Sequence, residues 1–199
     1  MPPIEHRLDT NALPSQASPP EFALSALGPH AIRGVEAMAV PVLPHPDGDA
    51  VLLGPGAAEI AEESGIDLLG VLELNEATGK AGEVSSVPIP LGGVENPDLR
   101  WVHLVGVGDQ RVADFRRAGA ALARASRDRS SVATSIPAIA PNGGFEAFVV
   151  GAMLGSFAFH LRSKPPEHKP AGRIVLAGVP DDADLARSLD RALAIGGAG

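Results

Sequence analysis

Apolar segments alternate with helix-like segments along most of this chain, and this alternation constrains the fold more than any other feature. The strongest strand candidate is LRWVHLVGVG, which leads into a helical pattern from Asp109 to Asp128. Other predicted strands are EAMAVPVL, AVLLG, SSVPIPL, SVATSIP and RIVLAGV, and other predicted helices are GAAEIAEESG, IDLLGVLEL, GGFEAFVVGAMLGSFAFHL and DDADLARSLDRALAIG. Alternating strands and helices predict an α/β domain in which helices cover both faces of a sheet. We therefore expect a three-layer α/β/α fold.

The first part of the chain lacks this alternation. Five of the first twenty residues are proline, and no apolar periodicity is sustained before Val35. Proline removes a backbone donor and breaks regular elements. The sequence therefore predicts a flexible, proline-rich tail at residues 1–33 and one folded domain at residues 34–197. Pro41 further predicts that the first strand of this domain lies at a sheet edge or ends there.

Two predicted helices carry patterns that assign their faces. In the helix that starts at Asp109, one side carries small and apolar residues, and the opposite side carries Arg116, Arg117, Arg124 and Arg127. Such an arginine stripe most often faces solvent, and binding of an acidic partner is the alternative.

In the predicted apolar helix, Gly151 and Gly155 are four residues apart, which predicts close packing of this helix on the sheet. The uncharged run at residues 147–159 is too short for a bilayer, which needs about 20 residues.

Net charge and residue usage exclude several classes of function. The formal net charge is −8, which disfavours nucleic acid and anionic membranes as partners because both attract cationic surfaces. The chain contains no cysteine, so disulfides and thiolate metal sites are excluded. The first residues have no apolar signal-peptide segment. We therefore expect a cytoplasmic protein.

The turn after the strongest strand is the main candidate for a nucleotide site. Gly106 and Gly108 stand in a Gly-x-Gly arrangement before a helix, where backbone amides can hold an anion. The dinucleotide-binding fingerprint requires a third glycine, and Arg111 occupies that position. Asp109 is predicted to cap the helix or to lie in its first turn, where it would repel a phosphate. A structural turn is therefore favoured over a nucleotide site.

The other motifs also predict structural roles. TGKAGE is not a phosphate-binding P-loop, because Ala81 follows Lys80 where serine or threonine is required. His45, Asp47 and Asp49 are predicted to form a surface turn, and His103 is predicted to be a packed or an edge histidine rather than a catalyst.

No serine has the Gly-x-Ser-x-Gly context of a hydrolase nucleophile. The acidic clusters are expected to cap helices or to keep the surface soluble; they comprise Glu59, Glu62 and Glu63, and Asp181, Asp182 and Asp184. We therefore predict no catalytic, cofactor-binding or metal-binding residue in this chain.

Three segments resemble the N-terminal domain of the leucyl aminopeptidase family, the cytosolic aminopeptidases of the M17 type. These segments are VLELNEATGKAGEV, WVHLVGVGDQRVADFRRAGAALAR and VVGAMLGSFAFHLRSK. The last carries the family's pattern of Gly151, Leu154, Phe157 and Phe159, although the family usually has tyrosine at Phe157 and often glutamate at Val150. The resemblance covers about residues 36–197. It implies a macro-domain-like fold with a mixed central sheet.

The resemblance also implies how such a domain is used. In the family this domain precedes a C-terminal catalytic domain, which binds two divalent metal ions, zinc or manganese, and carries the signature Asn-Thr-Asp-Ala-Glu-Gly-Arg-Leu. That signature is absent from this sequence. We therefore expect a non-catalytic domain of a hexameric aminopeptidase that serves assembly or substrate access, cut from a longer enzyme. The alternative is a free-standing module that binds a nucleotide such as ADP-ribose.

Overall fold

A computed structural model describes residues 18–48, 50–90, 95–157, 168–180 and 182–197. The strands of these residues are β1 (Glu21–Ser25), β2 (Ala37–Pro44), β3 (Val51–Leu53), β4 (Val84–Pro88), β5 (Trp101–Gly106), β6 (Ser131–Thr134) and β7 (Arg173–Ala177). The α-helices are α1 (Ala57–Ser64), α2 (Leu68–Leu74), α3 (Val112–Ala125), α4 (Gly144–Ser156) and α5 (Ala183–Gly196). The predicted alternation of strands and helices is therefore confirmed.

The strands form one mixed sheet. Their order is β1-β7-β6-β2-β5-β4, and β3 pairs with β2 beside this path. The neighbouring pairs from β1 to β5 are parallel, whereas β4 pairs antiparallel with β5 and β3 pairs antiparallel with β2. The predicted mixed central sheet is thus confirmed. The finer likeness to a macro domain stays a prediction.

Helices cover both faces of the sheet. Successive side chains of a strand point to opposite faces, and β2 shows the consequence. Ala37 and Ala39 pack in a core with α3, α4 and α5, whereas Met38 and Val40 pack in a second core with α1 and α2. This arrangement gives the three layers that the sequence predicts. Among the described residues, no helix combines the length and the apolar character needed to cross a membrane.

The prediction of an unstructured tail up to residue 33 is wrong for its second half. Residues Glu21–Ser25 form β1, which pairs in parallel with β7 from Glu21 opposite Arg173 to Ser25 opposite Ala177. Phe22 and Leu24 of this strand pack against the core of the α3 side. A five-residue strand gives little local signal, and its partner lies about 150 residues away along the chain, so sequence periodicity did not reveal it. Residues 1–17 of the predicted tail lie outside the described residues.

The prediction that Pro41 marks a sheet edge or a strand end is also wrong. Strand β2 is central and continues to Pro44, with β5 on one side and both β6 and β3 on the other. The pairing with β6 ends at Ala39, and the pairing with β3 begins at Val42. Pro41 lies in the gap between these two partners, where its missing N–H removes no ladder hydrogen bond. Its carbonyl still accepts from the N–H of Gly54 at 2.9 Å.

Glycines allow α3 and α4 to pack at very short range. A Cβ atom on Gly119 would lie 2.1 Å from the carbonyl oxygen of Phe148, and one on Gly151 would lie 2.0 Å from that of Arg116. A Cβ atom on Gly155 would similarly meet the backbone of α3. The close packing that the sequence predicts is therefore present, but the partner of α4 at these glycines is α3 rather than the sheet. The end of the predicted apolar helix, including Phe159, lies outside the described residues.

Candidate functional site

The glycine turn, Gly106–Gly108, lies at the end of β5, at the carboxyl edge of the parallel strands. It packs against the loop of residues 78–83, and the N–H of Gly108 donates to the carbonyl oxygen of Gly79 at 2.9 Å. A Cβ atom on Gly106 would lie 2.0 Å from the carbonyl oxygen of Lys80. This position therefore requires glycine because two backbone segments approach each other closely.

The amides of the glycine turn are already used within the protein. Besides the bond from Gly108, the N–H of Gly106 donates to the carbonyl oxygen of Glu83 at 2.8 Å. The N–H of Gln110 donates to the carbonyl oxygen of Val107 at 3.1 Å. A phosphate bound here would need these N–H groups as donors, and they already donate to backbone carbonyl oxygens. The geometry favours the structural interpretation of the turn.

The loop of residues 78–83 is closed by one of its own carboxylates, that of Glu83. One carboxylate oxygen of Glu83, Oε2, accepts from the backbone N–H groups of Thr78 and Gly79, each at 2.8 Å. The hydroxyl of Thr78 lies 3.3 Å from the same oxygen. Charged acceptors make stronger hydrogen bonds than neutral ones do, so the carboxylate fixes the loop against the glycine turn. TGKAGE therefore forms a compact turn closed by its own glutamate.

Helix α3 begins three residues later than the sequence predicts, at Val112 with Arg111 as the N-cap. The carboxylate of Asp114 accepts from the N–H of Arg111 at 3.2 Å and from the guanidinium of Arg117 at 3.2 Å. Asp109, which we expected to cap the helix or to lie in its first turn, lies before it and contacts the guanidinium of Arg111 at 2.7 Å. The capping carboxylate is therefore Asp114, because the left-handed Gly108 and Gln110 extend the turn before the helix starts.

A small pocket, which the motif search missed, lies beyond the carboxyl ends of β6 and β7. It has a volume of about 260 Å³ and lies between the start of α4 and the start of α5, with Phe145, Val179 and Leu185 among its lining residues. Open α/β sheets commonly bind ligands at this edge. The glycine pair Gly143–Gly144 at the start of α4 is a sequence feature at this pocket, where Gly143, the N-cap of the helix, adopts a positive φ of 77°.

The charges around this pocket do not suit a phosphate. Glu146 lies in the first turn of α4 and pairs with Arg191 at 2.6 Å. The side chain of Asp182 caps α5 by accepting from the N–H of Leu185 at 2.7 Å. Of the described residues that line the pocket, none is lysine, arginine or histidine. Carboxylates therefore already occupy the positive ends of these helices.

His103 is a packed, buried histidine, which is one of the two positions that the sequence predicts. Its side chain is 2% exposed, and its Nδ1 lies 2.9 Å from the hydroxyl of Ser86 on the neighbouring strand. Its ring stacks on Trp101, with 6.5 Å between the ring centroids. Burial, aided by the positive charge of Arg129, lowers the pKa of His103 to about 4. The imidazole is therefore neutral at pH 7.

The described residues do not bring a metal-ligand set together. Among them, no group of three or more histidine, aspartate and glutamate side chains is placed to hold an ion. His45 and Asp47 lie in a turn, with 3.5 Å between Nδ1 and the carboxylate. Asp49 and Asp181 lie outside the described residues. Glu59, Glu62 and Glu63 lie along α1.

The arginine stripe of α3 is solvated over most of its length. Arg116, Arg117 and Arg124 are exposed, and Arg127 is half-buried. Arg117 pairs with Asp114 of its own helix. The stripe therefore matches the predicted solvated face.

Comparison with protein families identifies the chain through its central part. The model described as "Cytosol aminopeptidase family, N-terminal domain" matches residues 39–165, which is more than half of the chain. A protein of Streptomyces avermitilis described as "Probable cytosol aminopeptidase" is 28% identical over 175 residues, which cover 80% of this chain and 34% of that protein.

Solved structures share the fold. A tomato leucine aminopeptidase mutant matches with a TM-score of 0.71 at 15% identity, over 92% of this chain and 37% of that chain. The bottromycin maturation enzyme BotP matches with a TM-score of 0.54 at 20% identity, over 83% of this chain and 31% of that chain. The chain thus spans about a third of the length of the proteins that it matches.

Proposed function

Because the chain belongs to the cytosol aminopeptidase family, of which it contains the N-terminal domain, we propose that it is a non-catalytic part of a metallo-aminopeptidase. In this proposal a C-terminal catalytic domain binds two divalent metal ions, zinc or manganese, and removes N-terminal amino acids from peptides. The present domain serves the assembly of a cytoplasmic hexamer or the access of substrate. The observation that carries the proposal is the family match over residues 39–165 on this fold.

The chemistry of the described residues supports a non-catalytic role. Two-metal hydrolysis requires carboxylates or histidines that converge on ions about 3.5–4 Å apart. The described carboxylates are dispersed instead, and several have structural partners: Glu83 closes a loop, Asp114 caps α3 and Asp182 caps α5. The bottromycin maturation enzyme BotP has also been solved in complex with Mn, which supports the proposal that the parent enzyme uses a divalent metal.

An aminopeptidase assay tests this proposal. We expect the 199-residue chain to release no p-nitroaniline from leucine p-nitroanilide, with or without added zinc or manganese. Turnover that copurifies with this chain and scales with its concentration would contradict the proposal.

Nucleotide binding is the second candidate, and the pocket between α4 and α5 is the observation that favours it. The pocket lies at the carboxyl ends of β6 and β7, and open α/β sheets commonly bind nucleotides at this edge. The carboxylates of Glu146 and Asp182 weigh against it, because they would repel a diphosphate. The occupied amides of the glycine turn weigh against it as well.

Calorimetry with ADP-ribose distinguishes the two candidates. We expect no saturable heat at micromolar ligand. Saturable binding that is lost in a Gly108→Trp variant would place a nucleotide at the glycine turn. Binding lost instead in a Gly143→Trp variant would place it in the pocket, and either result would favour the nucleotide-binding module.

A further inference from the structure

An apolar groove lies on the face of the molecule covered by α1 and α2, away from the carboxyl-edge pocket. It runs between β3, α1 and the start of α2 and has a volume of about 420 Å³. Val51, Leu53, Ala57, Ala61 and Leu68 contribute to its lining. These side chains are small or aliphatic, and the helices that border the groove, α1 and α2, are short, with eight and seven residues.

Exposed leucines extend the groove outwards. Leu52 and Leu69 line it and are 45% and 47% exposed. Leu74, at the end of α2, is 84% exposed but does not line the groove. Three of the six large hydrophobic side chains that are exposed among the described residues therefore lie on these elements. A clustered apolar surface with a polar rim is typical of a binding site rather than of ordinary solvent-facing residues.

Acidic residues border this groove. From His45 to Gly79 the sequence contains eight aspartate and glutamate residues and no lysine or arginine. Asp67 lines the groove, Glu62 lies one turn beyond Ala58 on α1, and Glu73 lies one turn beyond Leu69 on α2. The apolar floor is therefore bordered by negative charge.

We propose that this acidic groove, defined by Val51–Leu53, α1 and α2, binds a basic segment of a separate protein, in which aliphatic side chains alternate with lysines or arginines. The aliphatic side chains would bury the surface of Leu52 and Leu69, and the cations would pair with Glu62, Asp67 and Glu73. Complementary charge favours encounter and orientation, and apolar burial supplies the affinity. This role does not depend on the proposed aminopeptidase function.

The charge of the groove disfavours other occupants. A second copy of the chain carries a net charge of −8, which opposes its approach at long range, but it also carries the exposed arginine stripe of α3, so self-association through the groove is the competing outcome that the binding test distinguishes. Nucleic acid and anionic lipid would be repelled by the acidic border. A basic polypeptide is the partner that satisfies both the apolar floor and the acidic border.

Fluorescence anisotropy with a short, labelled lysine–leucine peptide tests the proposal on the full chain. We expect saturable binding that weakens as salt is added, and no binding of the matched glutamate–leucine peptide. Leu69→Lys should weaken binding by about tenfold or more, since it removes an exposed leucine that the peptide would bury and adds a charge of the same sign as the lysines of the peptide. Ile195→Lys is the matched control, because Ile195 is an exposed aliphatic residue on α5 and the change of charge is identical.

The charge contribution is tested separately. Glu62→Gln combined with Glu73→Gln should weaken binding several-fold, whereas Glu21→Gln on the distant β1 should not. Equal thermal unfolding of the variants verifies that each remains folded. Amide chemical shifts that change on addition of the peptide should map to residues 51–74.

Three results would overturn the proposal. The first is equal binding of the lysine and glutamate peptides, and the second is equal weakening by Ile195→Lys and Leu69→Lys. The third is self-association of the wild-type chain that Leu69→Lys abolishes, since the groove would then hold a second copy.

Discussion

Burial of His103 makes the stability of the fold depend on pH. The unfolded imidazole has a pKa near 6.5, whereas burial lowers the folded pKa to about 4. Between these two values the unfolded chain binds the proton and the folded chain does not, so the free energy of unfolding falls as the pH is lowered through this window. The difference corresponds to about 3 kcal/mol between pH 7 and pH 4.

Substitution of His103 isolates this contribution. We expect His103→Leu to lose less stability than the wild type when urea unfolding is compared at pH 7 and pH 4.5. The carboxylates of Glu36 and Asp128, whose pKa values are lowered by hydrogen bonds from Ser130 and Lys169, act in a more acidic window and are common to both proteins. An equal loss of stability in the two proteins would contradict a buried neutral histidine.

Residue types predict some of the roles around the glycine turn but not others. The sequence sufficed to reject a dinucleotide fingerprint, because Arg111 stands where the third glycine is required. It did not indicate that Glu83 would fill the loop of residues 78–83 or that Asp114, rather than Asp109, would cap α3. Those roles depend on turn geometry at left-handed Gly108 and Gln110, which residue types alone do not determine.

At the scale of elements, the close contact between α3 and α4 is the most sensitive to substitution. In Gly151→Ala the new methyl group would lie 2.0 Å from a backbone carbonyl oxygen of α3, so one helix must move. In Gly196→Ala the nearest atoms to the new methyl group belong to the side chain of Met153, at 2.4 Å, and this flexible side chain can rearrange. We expect a loss of about 3 kcal/mol or more for Gly151→Ala and a clearly smaller loss for Gly196→Ala in urea unfolding. Equal losses would show that the helices can separate at little cost.

Most elements could be predicted because their signals are local. Apolar residues at helical spacing identified α3, acidic residues in the first turn indicated α5, and continuous apolar residues identified β5 and β7. The failures concern pairing between distant segments. The position of β1 depends on β7, and the tolerance of Pro41 depends on where β6 ends and β3 begins. Such pairings arise from tertiary contacts that one sequence does not reveal directly.

At the scale of the whole molecule, resemblance was more informative about function than local chemistry was. The quoted segments around residues 71–84, 101–124 and 149–164 correspond to the family match over residues 39–165. They carry packing features, such as the glycines of α4, and therefore identified the family without indicating an active site. The pocket at the carboxyl edge and the acidic groove went unrecognised because each is built from elements that are separate along the chain.

Aminopeptidase activity compared between this chain and any longer product of the same gene is the most direct test of the non-catalytic role. Both proteins are assayed with leucine p-nitroanilide at equal concentration, with manganese or zinc, and after treatment with a chelator as the control. We predict metal-dependent turnover by the longer product and none by the 199-residue chain. Metal-dependent turnover by the 199-residue chain that persists through purification would contradict this role.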